Sequence, residues 1–309
     1  MEEVIVIVGP TCSGKTKLSM LLSERLDIEI ISADSRQIFK LLNIGTAKPN
    51  IEVVKKVKHY FVDELNADEE FNASIFAAKS EIIILEIIKK YKIPIVVGGS
   101  GLYVKALIDG ITESTNTNKE LRTTFLELRQ KYGNDYLYKE LKKVDEFSTK
   151  KLLPQNWKRV IRALEVYHLT GKAIWEHHIE EIKQEKFKFK QFGLLWNREV
   201  LYKNIENRID EMVKLGLVDE IRSILNLGYS KSLNALNTVG YKEIIQYLEN
   251  QITFNRAIEL IKRNTRRYAK RQMTWFNADK RIKWFDIKSE NDLIILADII
   301  AKEINERKN

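Results

Sequence analysis

The chain has 309 residues, 44% apolar and 31% charged, with 13 glycines and 4 prolines; this excludes collagen-like and disordered chains and allows one large domain or two modest ones. The formal net charge of +9 points toward an anionic partner. No apolar run reaches the length of a bilayer span, and the single cysteine, Cys12, excludes an internal disulfide and a cysteine-based zinc finger.

The first predicted element is a strand, Val4-Ile5-Val6-Ile7-Val8. It runs into Gly9-Pro10-Thr11-Cys12-Ser13-Gly14-Lys15-Thr16, which fits G-x-x-x-x-G-K-[ST], and a helix continues over residues 18–26. Strand, loop and helix are the context this motif requires. Its glycines let backbone N–H groups turn inward around a diphosphate, and the helix N-terminus and Lys15 add positive charge. The Thr16 hydroxyl is placed to hold Mg²⁺. Cys12 is read as a small space-filler. The motif fixes a ligand type, a polyphosphate, without fixing which bond is broken.

Residues 28–31 form a second strand, followed by Ser32-Ala33-Asp34-Ser35-Arg36-Gln37. A helix over 74–91 leads to a third strand, 93–97, which ends in Gly98-Gly99-Ser100-Gly101-Leu102-Tyr103. Short Ile/Val runs alternating with helices predict an α/β fold, a parallel sheet flanked by helices. Ligands bind at the carboxyl edge of such sheets, so three loops converge on one site. There, Asp34 has two uses, beside Mg²⁺ or as acceptor of a proton from a nucleophile. Ser100 offers a hydroxyl to the same edge.

A polar linker at 112–118 opens a helical stretch with segments at 120–131, 135–144 and 155–170, the last closed by Gly171. Within it Arg159 and Arg162 stand three apart, on one helix face, a spacing suited to phosphate. Residues 187–196 return to the sheet, and helices follow at 200–214, 218–225, 241–249 and 253–276. The predicted organisation is a P-loop core over 1–112, a helical insertion over 113–187, and core completion with basic helices over 188–309. From Arg256 to Trp284 there are ten basic residues against Glu259 and Asp279, which suggests nucleic acid. In this stretch Ile258, Ile261, Thr265, Tyr268 and Gln272 follow a buried helical spacing, with Phe276 assigned to the core. Arg263, Arg266, Arg267, Lys270 and Arg271 cover the other faces.

Several segments in one order resemble the bacterial tRNA dimethylallyltransferase (tRNA isopentenyltransferase) family. They are the 9–16 loop, 32–37, Ile44-Gly45-Thr46-Ala47-Lys48-Pro49, 98–103, 159–166, Val239-Gly240-Tyr241-Lys242-Glu243 and 266–276. The resemblance covers nearly the whole chain. It implies transfer of a dimethylallyl group from dimethylallyl diphosphate to N6 of the adenosine 3′ to the tRNA anticodon. It gives Asp34 as general base, with Ser100 standing where the family usually has threonine. Residues 9–16 and Arg208 would hold the diphosphate, with Mg²⁺ at Thr16. The expected tRNA-binding residues are Asp34, Ser35, Arg36, Gln37, Ser100, Arg122, Lys158, Arg159, Arg162, Arg266 and Arg267, with the insertion gripping the anticodon stem-loop. Asn204 stands where the family often has an arginine. The alternatives are an adenylate isopentenyltransferase, which needs neither the insertion nor the basic stretch, and a P-loop small-molecule kinase. The start, Met1-Glu2-Glu3, is no leader peptide, so a cytoplasmic monomer with no membrane partner is expected.

Overall fold

The structure is a computed structural model that describes residues 2–111, 118–180 and 186–306. The expected linker lies mostly outside the described residues. The chain divides into two compact units, residues 1–108 with 185–309, and residues 109–184.

The larger unit begins with β1 (Glu2–Val8), α1 (Lys15–Ser23), β2 (Ile28–Ser32), α2 (Ile51–Lys56), β3 (His59–Tyr60), α3 (Ala73–Lys89), β4 (Ile93–Gly98) and α4 (Gly101–Asp109). The strands are runs of Ile and Val buried on both faces, as a sheet covered by helices requires. Asn72 caps α3 by accepting the amides of Ser74 and Ile75, both at 3.0 Å, which supplies partners for two of the helix's orphan donors.

The smaller unit holds α5 (Lys119–Val144), interrupted at Gly133 (φ 83°), then α6 (Glu146–Thr149), α7 (Trp157–Thr170) and α8 (Ile174–Glu180). Phe125, Leu137, Leu141, Val160, Ile161 and Leu164 form its core. Every regular element in the described part of this unit is helical.

The chain then re-enters the sheet as β5 (Phe187–Trp196) and continues through α9 (Arg198–Lys214), α10 (Leu217–Asn226), α11 (Tyr241–Leu248) and α12 (Phe254–Asn277). It ends with β6 (Ile282–Ile287) and α13 (Glu290–Asn305). The strand order is β3-β2-β4-β1-β5-β6, with every neighbouring pair parallel. β1 therefore lies inside the sheet, and β1, β2, β4 and β5 end toward one edge. Leu18, Leu22, Leu293, Leu296 and Ile300 from α1 and α13 pack on one face with Ile5, Ile7 and Ile95. Burying one such side chain is worth about 1.5–3 kcal/mol.

The basic stretch is not helical to its end. α12 stops at Asn277, and Ile282 and Ile287 are buried in β6. Lys280, Arg281 and Lys283 thus lie on a turn and an edge strand. Two short or mixed segments, β3 and β6, escape a reading by periodicity because neither carries a run of apolar residues.

Candidate active site

The phosphate loop turns out of β1 and into α1 at Gly14, whose φ of 87° is costly for a residue with a Cβ. No side chain caps the start of α1, so its first amides face outward, the arrangement that suits an anion. Lys15 Nζ donates to the Pro10 carbonyl at 2.5 Å and lies 3.5 Å from Ser13 Oγ. Its withdrawal from water, with Arg208 adding to the effect and Cys12 and Asp34 opposing it, lowers its pKa from 10.5 to about 8. Arg208, on α9, reaches over the loop, with Nη1 3.5 Å from both Thr11 Oγ1 and Cys12 Sγ. From the end of β5, the Trp196 indole N–H donates to the Ser13 carbonyl at 2.9 Å.

Asp34 follows β2. Its Oδ1 accepts the amides of Arg36 at 2.8 Å and Gln37 at 3.4 Å, a self-closed turn. Among the described residues its second oxygen takes no hydrogen bond. Ser100, after β4, locks this turn: its hydroxyl oxygen accepts the Ser35 amide and its own amide donates to the Ala33 carbonyl, both at 3.1 Å. Gln37 is turned inward, bonded to Ser32 Oγ at 3.2 Å and donating to the carbonyls of Thr46 and Ala47. Burial lowers the Arg36 pKa, opposed by Asp34.

Two adjoining cavities share Thr11, Cys12, Asp34, Thr46, Arg208 and Tyr268. One, of about 470 Å³, contains Ser13, Gly14, Lys15 and Thr16. The other, of about 330 Å³, adds the apolar side chains of Ile205, Ile209, Met212, Leu217 and Ile261, with Arg36 and Arg271. Asp34 stands where they meet. Burial, reinforced by Asp34, pushes the Tyr268 hydroxyl up to about 12, so it stays protonated and able to donate.

The remaining expected residues fall into two groups. In the helical unit Lys158 and Arg159 are exposed, whereas Arg162 and Arg122 flank the fully buried Glu165, Arg122 Nε at 2.9 Å and Arg162 Nη1 at 3.6 Å. On α12, Arg267 is exposed, while Arg266 pairs with Glu206 at 2.5 Å. Arg122, Arg162 and Arg266 are thus engaged in ion pairs of their own.

Two site residues were not singled out by function from the sequence. Gln272, read only as part of a buried face, binds both the phosphate loop and the loop after β4. Glu220 accepts the amides of Asn43, Ile44 and Gly45 at 3.0, 2.7 and 3.1 Å, and the Tyr241 hydroxyl at 2.6 Å. It joins two of the segments on which the resemblance rests. A glutamine within an apolar helical stripe was a readable signal; a glutamate on an amphipathic helix was not.

A parallel six-stranded sheet flanked by helices, with the 9–16 loop and Asp34 lining a cavity at its carboxyl edge, defines an α/β protein with its candidate site at that edge. The chain belongs to the IPP transferase family, whose model matches residues 37–279. It is 45% identical over 294 residues to a tRNA dimethylallyltransferase of Acetivibrio thermocellus, covering 94% of each chain. It is 41% identical over 303 residues to that of Alkaliphilus oremlandii, covering 98% of this chain and 97% of the other. Among solved structures it resembles the full-length tRNA isopentenylpyrophosphate transferase of Bacillus halodurans (35% identity, TM-score 0.73, covering 100% and 98% of the two chains). It also resembles a eukaryotic dimethylallyltransferase acting on tRNA (28% identity, TM-score 0.78, covering 93% of this chain and 74% of that one).

Proposed function

We infer that this protein transfers a dimethylallyl group from dimethylallyl diphosphate to N6 of the adenosine 3′-adjacent to the anticodon in tRNA, releasing diphosphate. The observation that carries the reading is Asp34, which lines both the phosphate-loop cavity and a second cavity whose wall mixes apolar side chains such as Ile205, Met212 and Leu217 with Arg36 and Arg271. The diphosphate lies in the first, held by the loop amides, Lys15 and Arg208. The allylic carbon and the adenine edge meet at the junction.

The adenine amine is a weak nucleophile because its lone pair is delocalised into the ring. As N6 bonds to C1 of the allyl group, the C1–O bond breaks and its electrons leave with the diphosphate. Lys15, Arg208 and the loop amides stabilise the charge that develops there. The free oxygen of Asp34 takes the N6 proton, help worth about 10²–10⁴-fold. The turn around Asp34, closed by Ser100, aims that oxygen.

Mg²⁺ fits this donor set as a shared ligand of protein and substrate. Thr16 is exposed on the cavity wall, and the described residues contain no cluster of three or more His, Cys, Asp or Glu able to cage an ion. An ion held by the Thr16 hydroxyl would take its other ligands from phosphate oxygens and water. When bound, it neutralises charge on the leaving diphosphate. The tRNA backbone is held by the exposed basic faces, Lys158 and Arg159 in the helical unit and Arg267 on α12. The base leaves its stack to reach Asp34, at a cost of a few kcal/mol, offset by phosphate contacts.

The test is transfer of labelled dimethylallyl with Mg²⁺, offering unmodified tRNA and AMP in parallel and analysing the nucleosides. Label in N6-dimethylallyladenosine from tRNA alone is expected. Label on AMP alone would make the protein an adenylate prenyltransferase, and ATP turnover with no label would make it a kinase.

A further inference from the structure

Gln272 is a polar residue in the buried stripe of α12, 6% exposed, between Ala269 and Phe276. Its Oε1 accepts the amide of Thr11, and its Nε2 donates to the carbonyl of Gly99, both at 2.9 Å. The first partner can only donate and the second can only accept, so the orientation of the amide is fixed by chemistry. The contact is close: a Cβ on Gly99 would collide with Nε2. An amide so buried would be costly without these bonds.

Each arm of the amide leads to one half of the proposed reaction. Thr11 is the third residue of the phosphate loop, and its amide is held by Gln272 rather than turned to a ligand. Gly99 precedes Ser100, whose amide and hydroxyl bond Ala33 and Ser35, the two neighbours of Asp34 in sequence.

We propose that Gln272 is a positioning residue that fixes the phosphate loop against the turn carrying Asp34, and so sets the leaving group relative to the proton acceptor. The proposal rests on the transferase reading above. Gln272 acts through the two loops that its amide joins. Misplacement of reacting groups by about 1 Å is enough to cost about 100-fold in rate, whereas affinity for tRNA depends on basic faces that Gln272 does not form.

Gln272→Glu and Gln272→Met separate position from mere folding. The glutamate has the same shape, but as a carboxylate it sets an oxygen against the Gly99 carbonyl. Once protonated it donates there as the amide does. The ratio of its kcat to that of the wild type should therefore climb as pH falls. The methionine makes neither bond, and its ratio should stay low and flat, down about 10- to 100-fold, with the KM for tRNA within about threefold. Cys12, Lys15, Asp34, Lys48, His59, Arg208 and Tyr268 share this cavity, Tyr268 in hydrogen-bonding reach of Gln272, and all are present in the three proteins, so any titration of theirs that the substitution leaves unchanged cancels in the ratio. A pH-independent ratio for Gln272→Glu would overturn the proposal, and so would a folded Gln272→Met with kcat within about twofold of wild type. If Gln272→Met does not fold, the pH ratio alone decides. A wild type that transfers no dimethylallyl group would instead overturn the function on which the proposal stands.

Discussion

Asp34 divides its two oxygens between structure and chemistry. One accepts the amides of Arg36 and Gln37, and the other takes no hydrogen bond among the described residues, in a side chain that lines both cavities. Asp34→Asn keeps an acceptor for the turn but cannot take a proton. It should lower kcat by about 10²–10⁴-fold and leave tRNA affinity within a few-fold; near-normal turnover would remove Asp34 from the role of base. Lys15 gives a pH dependence of known sign. In the free protein it holds its proton only below about 8, and an anionic ligand favours the charged form. Affinity for dimethylallyl diphosphate should be highest below that pH and fall as pH rises through it, as calorimetry between about pH 6.5 and 9.5 would show. In Lys15→Met the affinity should be low and the fall absent. At this scale the sequence was readable where a residue follows its own strand, as the 9–16 loop, Asp34 and Ser100 do. It was not readable where the partner is remote: Thr11 and Gln272 are 261 residues apart, Ser13 and Trp196 are 183, and spacing along a chain carries no trace of such a bond.

Two helices sort their arginines by exposure. On α7, Arg159 is exposed, while Arg162 shares the buried Glu165 with Arg122 of α5. Removing a partner from a buried carboxylate costs about 1–3 kcal/mol, whereas exposed substitutions stay within about 0.5 kcal/mol. Thermal unfolding should therefore distinguish Arg122→Ala, destabilised, from Arg159→Ala, unchanged in stability but weaker for tRNA. On α12, Arg266 is neutralised by Glu206, and Arg267 and Lys270 are exposed. Arg267→Gln with Lys270→Gln should flatten the dependence of log affinity for tRNA on log salt, by about one for each phosphate that is no longer neutralised. An unchanged slope would place the RNA elsewhere. Helical periodicity located both helices, but it could not tell a free arginine from a paired one, because Glu165 and Glu206 come from positions that periodicity treats as ordinary.

The six-stranded order β3-β2-β4-β1-β5-β6 brings residues from both ends of the larger unit to one edge. Alternating apolar runs made the parallel sheet legible, and the return of the chain at β5 with it. The edges were not: β3 has two residues, and β6 begins within a basic stretch. Across the whole chain the charge of +9 acts at a distance. Association with an anticodon stem-loop should slow more than tenfold as ionic strength rises from about 0.05 to about 0.2 M, while dissociation changes less. A rate insensitive to salt would mean that short-range contacts govern the encounter.

The bond from Trp196 to the Ser13 carbonyl also has an optical side. Indole emission responds to the polarity and hydrogen bonding at its ring nitrogen, and this nitrogen is tied to the 9–16 loop, where the proposed function puts the diphosphate. The protein therefore carries its own fluorophore at the site. With the other four of its five tryptophans replaced by phenylalanine, the wavelength and intensity of Trp196 report loop occupancy directly, and a stopped-flow trace at that wavelength times the arrival of the first substrate without any label.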